Sequence, residues 1–173
     1  PARARLPPPM TGAQSEIVVS MGEFGVARAP GRLLALGLGS CVAVMLHDPG
    51  LRVGALAHVV LPSPSLARDR DRPARFASSA VPLLVGLLQE QGADTARVVA
   101  RLAGGATMFH QLTPRDSMPI GERNVLALRG ALRTAGIAIV GEAVGQDFGR
   151  SVWFEVATGA ARVRSVWQEE YAI

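Results

Sequence analysis

Apolar residues in this chain come mostly in short runs broken by glycine, proline and charge. EIVVS at 16–20 and LLALGL at 33–38 predict strands, the second ending in glycines. VAVMLHD at 42–48 and VGALAHVVLP at 53–62 are apolar and β-branched, with a turn between them. From 78 to 91 the period changes. Val81, Leu84, Val85 and Leu88 recur at helical spacing, Ser78 or Ser79 offers a cap, Pro82 is tolerable in the first turn, and Gly92 stops the run. ARVVARLAGG at 96–105 predicts a buried strand, and 121–135 a second helix with Val125, Leu128 and Leu132 inward and Gly136 as the stop. IAIVGEAVG at 137–145 is a further strand; SVWFEV at 151–156 and ARVRSVW at 161–167 alternate around ATGA as a hairpin. Strands outnumber helices and several adjoin directly. The expected fold is therefore α/β: a single layered domain with mixed, largely antiparallel β-sheets flanked by helices. PSPSLARDRDRPAR at 62–75 is an exposed connection or a substrate-facing flap, and its 66–75 stretch is the part expected to order on binding.

Composition narrows the class. With 49% hydrophobic and 18% charged residues the chain is globular rather than disordered. Its 173 residues suit one domain, taken as 15–173 behind a flexible tail at 1–14. A single cysteine excludes an internal disulfide framework and a multi-cysteine zinc site, and His47, His58 and His110 lack metal-ligand spacing. No apolar run approaches the ~20 residues that span a bilayer. PARARLPPPM has no apolar core of a signal peptide, so a reduced, cytoplasmic setting is expected. Every basic residue is arginine, which reads first as codon usage in a GC-rich genome. The net charge of +4 permits an acidic partner. Nucleic acid is disfavoured, because the arginines are dispersed and no aromatics interleave with them.

The candidate chemistry lies in GLGSCVAVMLHD, residues 37–48. Cys41 and His58 are 17 residues apart, and Asp48-Pro49-Gly50 is a turn signal near their midpoint. A symmetric hairpin about Pro49 and Gly50 would set Cys41 opposite His58 on one face, whereas a one-residue slip would separate them. In contact, an imidazolium would lower the thiol pKa and later hand a proton to a leaving group. Gly39 and Ser40 belong to a turn whose backbone N–H groups can face an oxyanion. The plain alternatives are a small core cysteine and a structural histidine. Thr107 touches substrate or caps a turn. Gly104-Gly105 suits close backbone packing. Glu122, Arg123 and Asn124 open a helix as scaffold, with Asn124 placed to hydrogen-bond the pocket backbone. Arg150 is expected to pair with Glu122 or another buried acid, and His47 to lie at the surface. His110 has no partner visible in the sequence.

LGLGSCVAVMLHDP followed by GALAHVVLP resembles the CheD family, the chemoreceptor glutamine deamidases. RFASSAVPLL, RLAGGATMF, IGERNV and VGQDFGRSVWFEVATGAARV continue the likeness in order, so that it covers about residues 16–165. The resemblance implies a layered α/β fold related to deamidating toxins. It also implies hydrolysis of selected glutamine amides in the cytoplasmic domains of methyl-accepting chemoreceptors, without a metal or organic cofactor. Cys41 falls on the nucleophile and His58 on the general base. A CheC-type phosphatase is a further partner of some members. One position departs: the family's threonine six residues before the cysteine, whose oxygen orients the histidine, is Ala35 here. Ser40 and, more distantly, Thr107 are the candidate side chains to replace it; a backbone carbonyl or water would also serve. Ala35 motivates a second reading, a weakly active or inactive adaptor binding receptors or the phosphatase. A third is receptor glutamate methylesterase activity, since the ester bears the same acyl centre.

Overall fold

A computed structural model describes residues 15–108 and 117–173. The 1–14 tail and His110 lie outside the described residues. Ten strands and two α-helices follow in chain order: β1 (Glu16–Val18), β2 (Phe24–Arg28), β3 (Arg32–Leu38), β4 (Val42–Asp48), β5 (Val53–Val59), α1 (Ala77–Glu90), β6 (Val99–Gly104), α2 (Ile120–Thr134), β7 (Ala138–Val144), β8 (Arg150–Glu155), β9 (Ala161–Ser165) and β10 (Tyr171–Ala172). They form two five-stranded sheets, a central one ordered β2-β5-β4-β6-β7 and an outer one ordered β1-β3-β8-β9-β10. Only β1–β3 and β6–β7 pair in parallel. The expected mixed, largely antiparallel α/β domain is what the chain forms.

The layering follows from strand alternation. In β4, Val42, Val44 and Leu46 face the helices, while Ala43 and Met45 face the outer sheet. In β5, Val53, Ala55, Ala57 and Val59 take the helix side and Leu56 the other. Both strands are buried along their whole length, and for this reason their sequences read as unbroken apolar runs. α1 covers the sheet with Ala77, Ala80, Val81, Leu84 and Leu88; α2 adds Val125, Leu128 and Leu132. Truncating one of these leucines to alanine would cost about 2–5 kcal/mol. Among the described residues, no helix is long and apolar enough to cross a membrane.

Several expectations change. FGVAR forms β2, an element the sequence pattern does not predict; Gly25 in it packs closely, since a Cβ would lie 3.1–3.3 Å from the Val19, Leu33 and Ile17 side chains. α1 has no serine cap: Phe76 is its N-cap, and Ser79 Oγ instead donates to the Pro73 carbonyl. Pro82 sits inside the helix. The 62–75 connection contains two short 3-10 turns, and its base is pinned where the Val60 and Leu61 N–H groups donate to the Arg75 carbonyl. His47 is buried, with Nε2 2.9 Å from the Val156 carbonyl, because the β8–β9 hairpin closes over it. Arg150 is also buried but meets no carboxylate. Its guanidinium donates to the Ala143 and Gly145 carbonyls and lies 5.1 Å from the Phe148 ring, tying the outer sheet to the end of β7.

Candidate active site

Gly39, Ser40 and Cys41 form the short crossover from β3 in the outer sheet to β4 in the central one. Cys41 is thus held at the mouth between the sheets, packed against the core that lines them. Its carbonyl accepts the Gly105 N–H at 2.8 Å, and the Gly39 carbonyl accepts the Ala106 N–H at 2.8 Å. Gly104, at φ +113, makes this possible: a Cβ there would fall 2.2 Å from the Cys41 oxygen. The Ser40 and Cys41 backbone N–H groups donate to no carbonyl among the described residues.

His58 lies near the end of β5, but its cross-strand partner is Ala43, not Cys41. The expected register is off by two because the loop holds four residues, Pro49–Arg52. Asp48 Oδ1 stabilises it by accepting the Gly50 and Leu51 N–H groups. A shift of two keeps side-chain parity, so both residues still face the space between the sheets. Cys41 is a diagonal neighbour, a relation that spans roughly 7–8 Å in a sheet. No hydrogen bond joins the sulfur to the ring, and His58 Nε2 is buried without a partner among the described residues.

The other ring nitrogen is fixed. His58 Nδ1 lies 3.2 Å from the Val19 carbonyl. A carbonyl only accepts, so Nδ1 carries the proton and Nε2 presents a lone pair. Burial lowers the His58 pKa, opposed by the Val19 contact, and burial raises that of the Cys41 thiol, opposed by its own backbone N–H. Both shifts favour the uncharged forms, thiol and neutral imidazole, in the resting protein.

Ala35 is fully buried between the sheets, opposite Val152 of β8. The Val19 carbonyl, not a side chain at position 35, accepts the His58 Nδ1 hydrogen bond. Neither side chain considered from sequence, Ser40 or Thr107, is hydrogen-bonded to the His58 ring among the described residues; the Ser40 carbonyl accepts from Asn124 Nδ2 at 3.0 Å, and the Thr107 N–H donates to the Gln146 carbonyl. No residue-type signal points to Val19, since the contact uses main chain. Asn124, fully buried, also donates from Nδ2 to the Val60 carbonyl at 3.0 Å. Thr107 lines a cleft of about 540 Å³ with Glu122, Val125, Gln146, Asp147 and Phe148; Gly105, also in its lining, hydrogen-bonds the 39–41 loop. Neither Cys41 nor His58 lines it. Among the described residues, no group of three or more His, Cys, Asp or Glu side chains is placed to hold a metal ion.

A two-sheet α/β domain with a half-buried cysteine and an oriented histidine at one sheet end is the class that fold and site define. Residues 60–165 match the family described as CheD chemotactic sensory transduction. The chain is 46% identical over 153 residues to a Geobacter metallireducens protein named probable chemoreceptor glutamine deamidase CheD 2, covering 88% of this chain and 94% of that protein. It is 42% identical over 149 residues to the Thermotoga maritima chemoreceptor glutamine deamidase CheD, covering 86% and 91%. A Desulforamulus reducens protein named as a probable deamidase of this kind is 38% identical over 152 residues, covering 88% and 92%. The chain belongs to the CheD family.

Proposed function

We propose that this protein hydrolyses glutamine side-chain amides of chemoreceptor cytoplasmic domains to glutamate, acting in the cytoplasm with Cys41 as nucleophile and His58 as base. The observation that carries the reading is the His58 ring: Nδ1 anchored on the Val19 carbonyl, Nε2 buried, basic and unpartnered, on the face shared with Cys41. When substrate enters, His58 Nε2 takes the thiol proton as Sγ attacks the carboxamide carbon. The oxyanion is received by the Ser40 and Cys41 N–H groups, an effect of roughly 2.7–4 kcal/mol per donor in comparable sites. Nε2–H then protonates the departing ammonia and leaves a γ-glutamyl thioester. Water attacks it, giving a proton to Nε2, and the glutamate carboxylate and thiol are released.

A CheC-type phosphatase remains a proposed second partner. The adaptor reading rested on Ala35; the Val19 contact, which orients His58 without a side chain at that position, supports the active enzyme instead. The test is mass spectrometry of a receptor cytoplasmic fragment with wild type and Cys41→Ala. A gain of about one dalton per modified glutamine, lost in the variant, is the expected result. Turnover retained in Cys41→Ala would end the nucleophile role. Loss of methyl from a methylated fragment, without deamidation, would favour the esterase.

A further inference from the structure

The backbone ladder joining the strands of Cys41 and His58 stops one residue short of Cys41 and one residue beyond His58. Its last registered pair is Val42 with Val59. Beyond it the chains diverge, Ser40 and Cys41 toward the outer sheet and Val60 toward the connection that precedes α1. The first turn of α2 fills the gap from the helix side. Gly121 abuts the 104–106 segment so closely that a Cβ would lie 2.6–2.7 Å from the Gly105 and Ala106 carbonyl oxygens. Asn124, within one turn of it, places its amide nitrogen between the Ser40 and Val60 carbonyls, 3.0 Å from each.

Resting on the deamidase reading, we propose that Asn124 is a positioning residue: its side-chain amide acts as one further rung of the β4–β5 ladder and fixes the nucleophile loop relative to the strand of the base. Ser40 directly precedes the nucleophile and Val60 follows His58 by two. One nitrogen therefore sets the spacing of the two chain segments that must bring Sγ to Nε2. The residue type fits. A primary amide supplies two N–H donors from a single atom; a serine has one, and an aspartate would set lone pairs against two carbonyls. Its Oδ1 is buried without a hydrogen-bond partner. The site therefore exploits the amide's donors and leaves its acceptor unused. The amide reaches the loop from the helix face, opposite the side on which Cys41 and His58 meet substrate, so it acts only through backbone.

The test compares Asn124→Ala, Asn124→Ser and Leu128→Ala. Leu128 is one turn further along α2, fully buried in the helix–sheet core and remote from the loop. Deamidation of a receptor fragment gives kcat and KM; iodoacetamide labelling gives Cys41 reactivity at neutral pH; all are read below each variant's unfolding transition. Asn124→Ala is expected to lose at least about tenfold in kcat with KM within about twofold, while labelling rises severalfold as the thiol is released from its desolvated position. Asn124→Ser, keeping one donor, falls between. Leu128→Ala lowers Tm at least as much but holds kcat within about twofold. A kcat within twofold of wild type in Asn124→Ala, or equal losses in Asn124→Ala and Leu128→Ala, would overturn the proposal. Should wild type itself fail to deamidate, the functional reading falls alone. Labelling still decides the positioning role, and an unchanged rate in Asn124→Ala would refute it.

Discussion

The two ends of β4 are built from the same parts and finished differently. Each has a buried histidine facing the outer sheet, with one ring nitrogen on a main-chain carbonyl: His58 on Val19 near one end, His47 on Val156 at the other. The His47 end is closed. The ring meets Phe154 edge-on at 6.0 Å, and Gly159 packs so tightly that a Cβ would lie 2.3 Å from Nδ1. Asp48 beside it is saturated by two Arg97 hydrogen bonds and by the Gly50, Leu51 and Asp94 N–H groups. At the other end the His58 Nε2 and the Ser40 N–H have no protein hydrogen-bond partner among the described residues, and the Cys41 N–H meets only its own sulfur. Buried polar groups are normally paired because leaving them unpaired is costly. The closed end stabilises the fold; the open end keeps the groups that the proposed reaction uses.

Substitutions at matched positions test that contrast. His58→Gln is expected to lower kcat by about 10²–10⁴-fold, whereas His47→Gln leaves kcat within about twofold, both measured by ammonia release. Asp48→Ala should reverse the pattern. It strips several donors of their acceptor and costs on the order of 2–4 kcal/mol in denaturant unfolding, with kcat unchanged at temperatures where the protein stays folded. The pH dependence carries a sign. Asp48 is held down at about 2 from an ordinary 3.8, burial being outweighed by Arg97 and the backbone donors. Its contribution is complete above about pH 4 and is lost as pH falls toward 2, so Asp48→Ala should flatten unfolding against pH in that window.

His58 titrates in the other functional window. Burial keeps its folded pKa below 6.5, so the neutral base persists below that pH, and kcat/KM should hold there before falling on the acid side. Stability from burying the neutral ring is present above 6.5 and declines as pH falls toward the folded value. Labelling of Cys41 in the resting protein should still be climbing at pH 9.0, the ordinary thiol value, because burial raises the thiol pKa. The smallest effect is expected for Ala35→Thr. Val19 already holds Nδ1, so kcat should change by less than about threefold, at a cost of about 1–3 kcal/mol for extra bulk between the sheets.

Much of this was legible in the sequence. β4, β5 and both helices follow from apolar run and period, and parity put Cys41 and His58 on one face even with the register wrong. The register itself was hidden because Asp48 lengthens the loop through hydrogen bonds that Asp-Pro-Gly does not announce. β2 was hidden because a short Gly- and Ala-containing segment becomes a strand only when β5 is beside it. His47 looked exposed because the hairpin covering it lies more than a hundred residues away, and Arg150 looked paired because an arginine prompts a search for acids rather than carbonyls.

The anchor of His58 has a consequence for how this protein tolerates mutation. A side-chain orienter can be deleted by one codon change, and a substitution scan would expose it at once. The Val19 oxygen belongs to the peptide group and survives replacement of the residue by any other. An alanine scan of this chain would report Val19 as packing alone, while the ring's tautomer stayed protected from point substitution at that position.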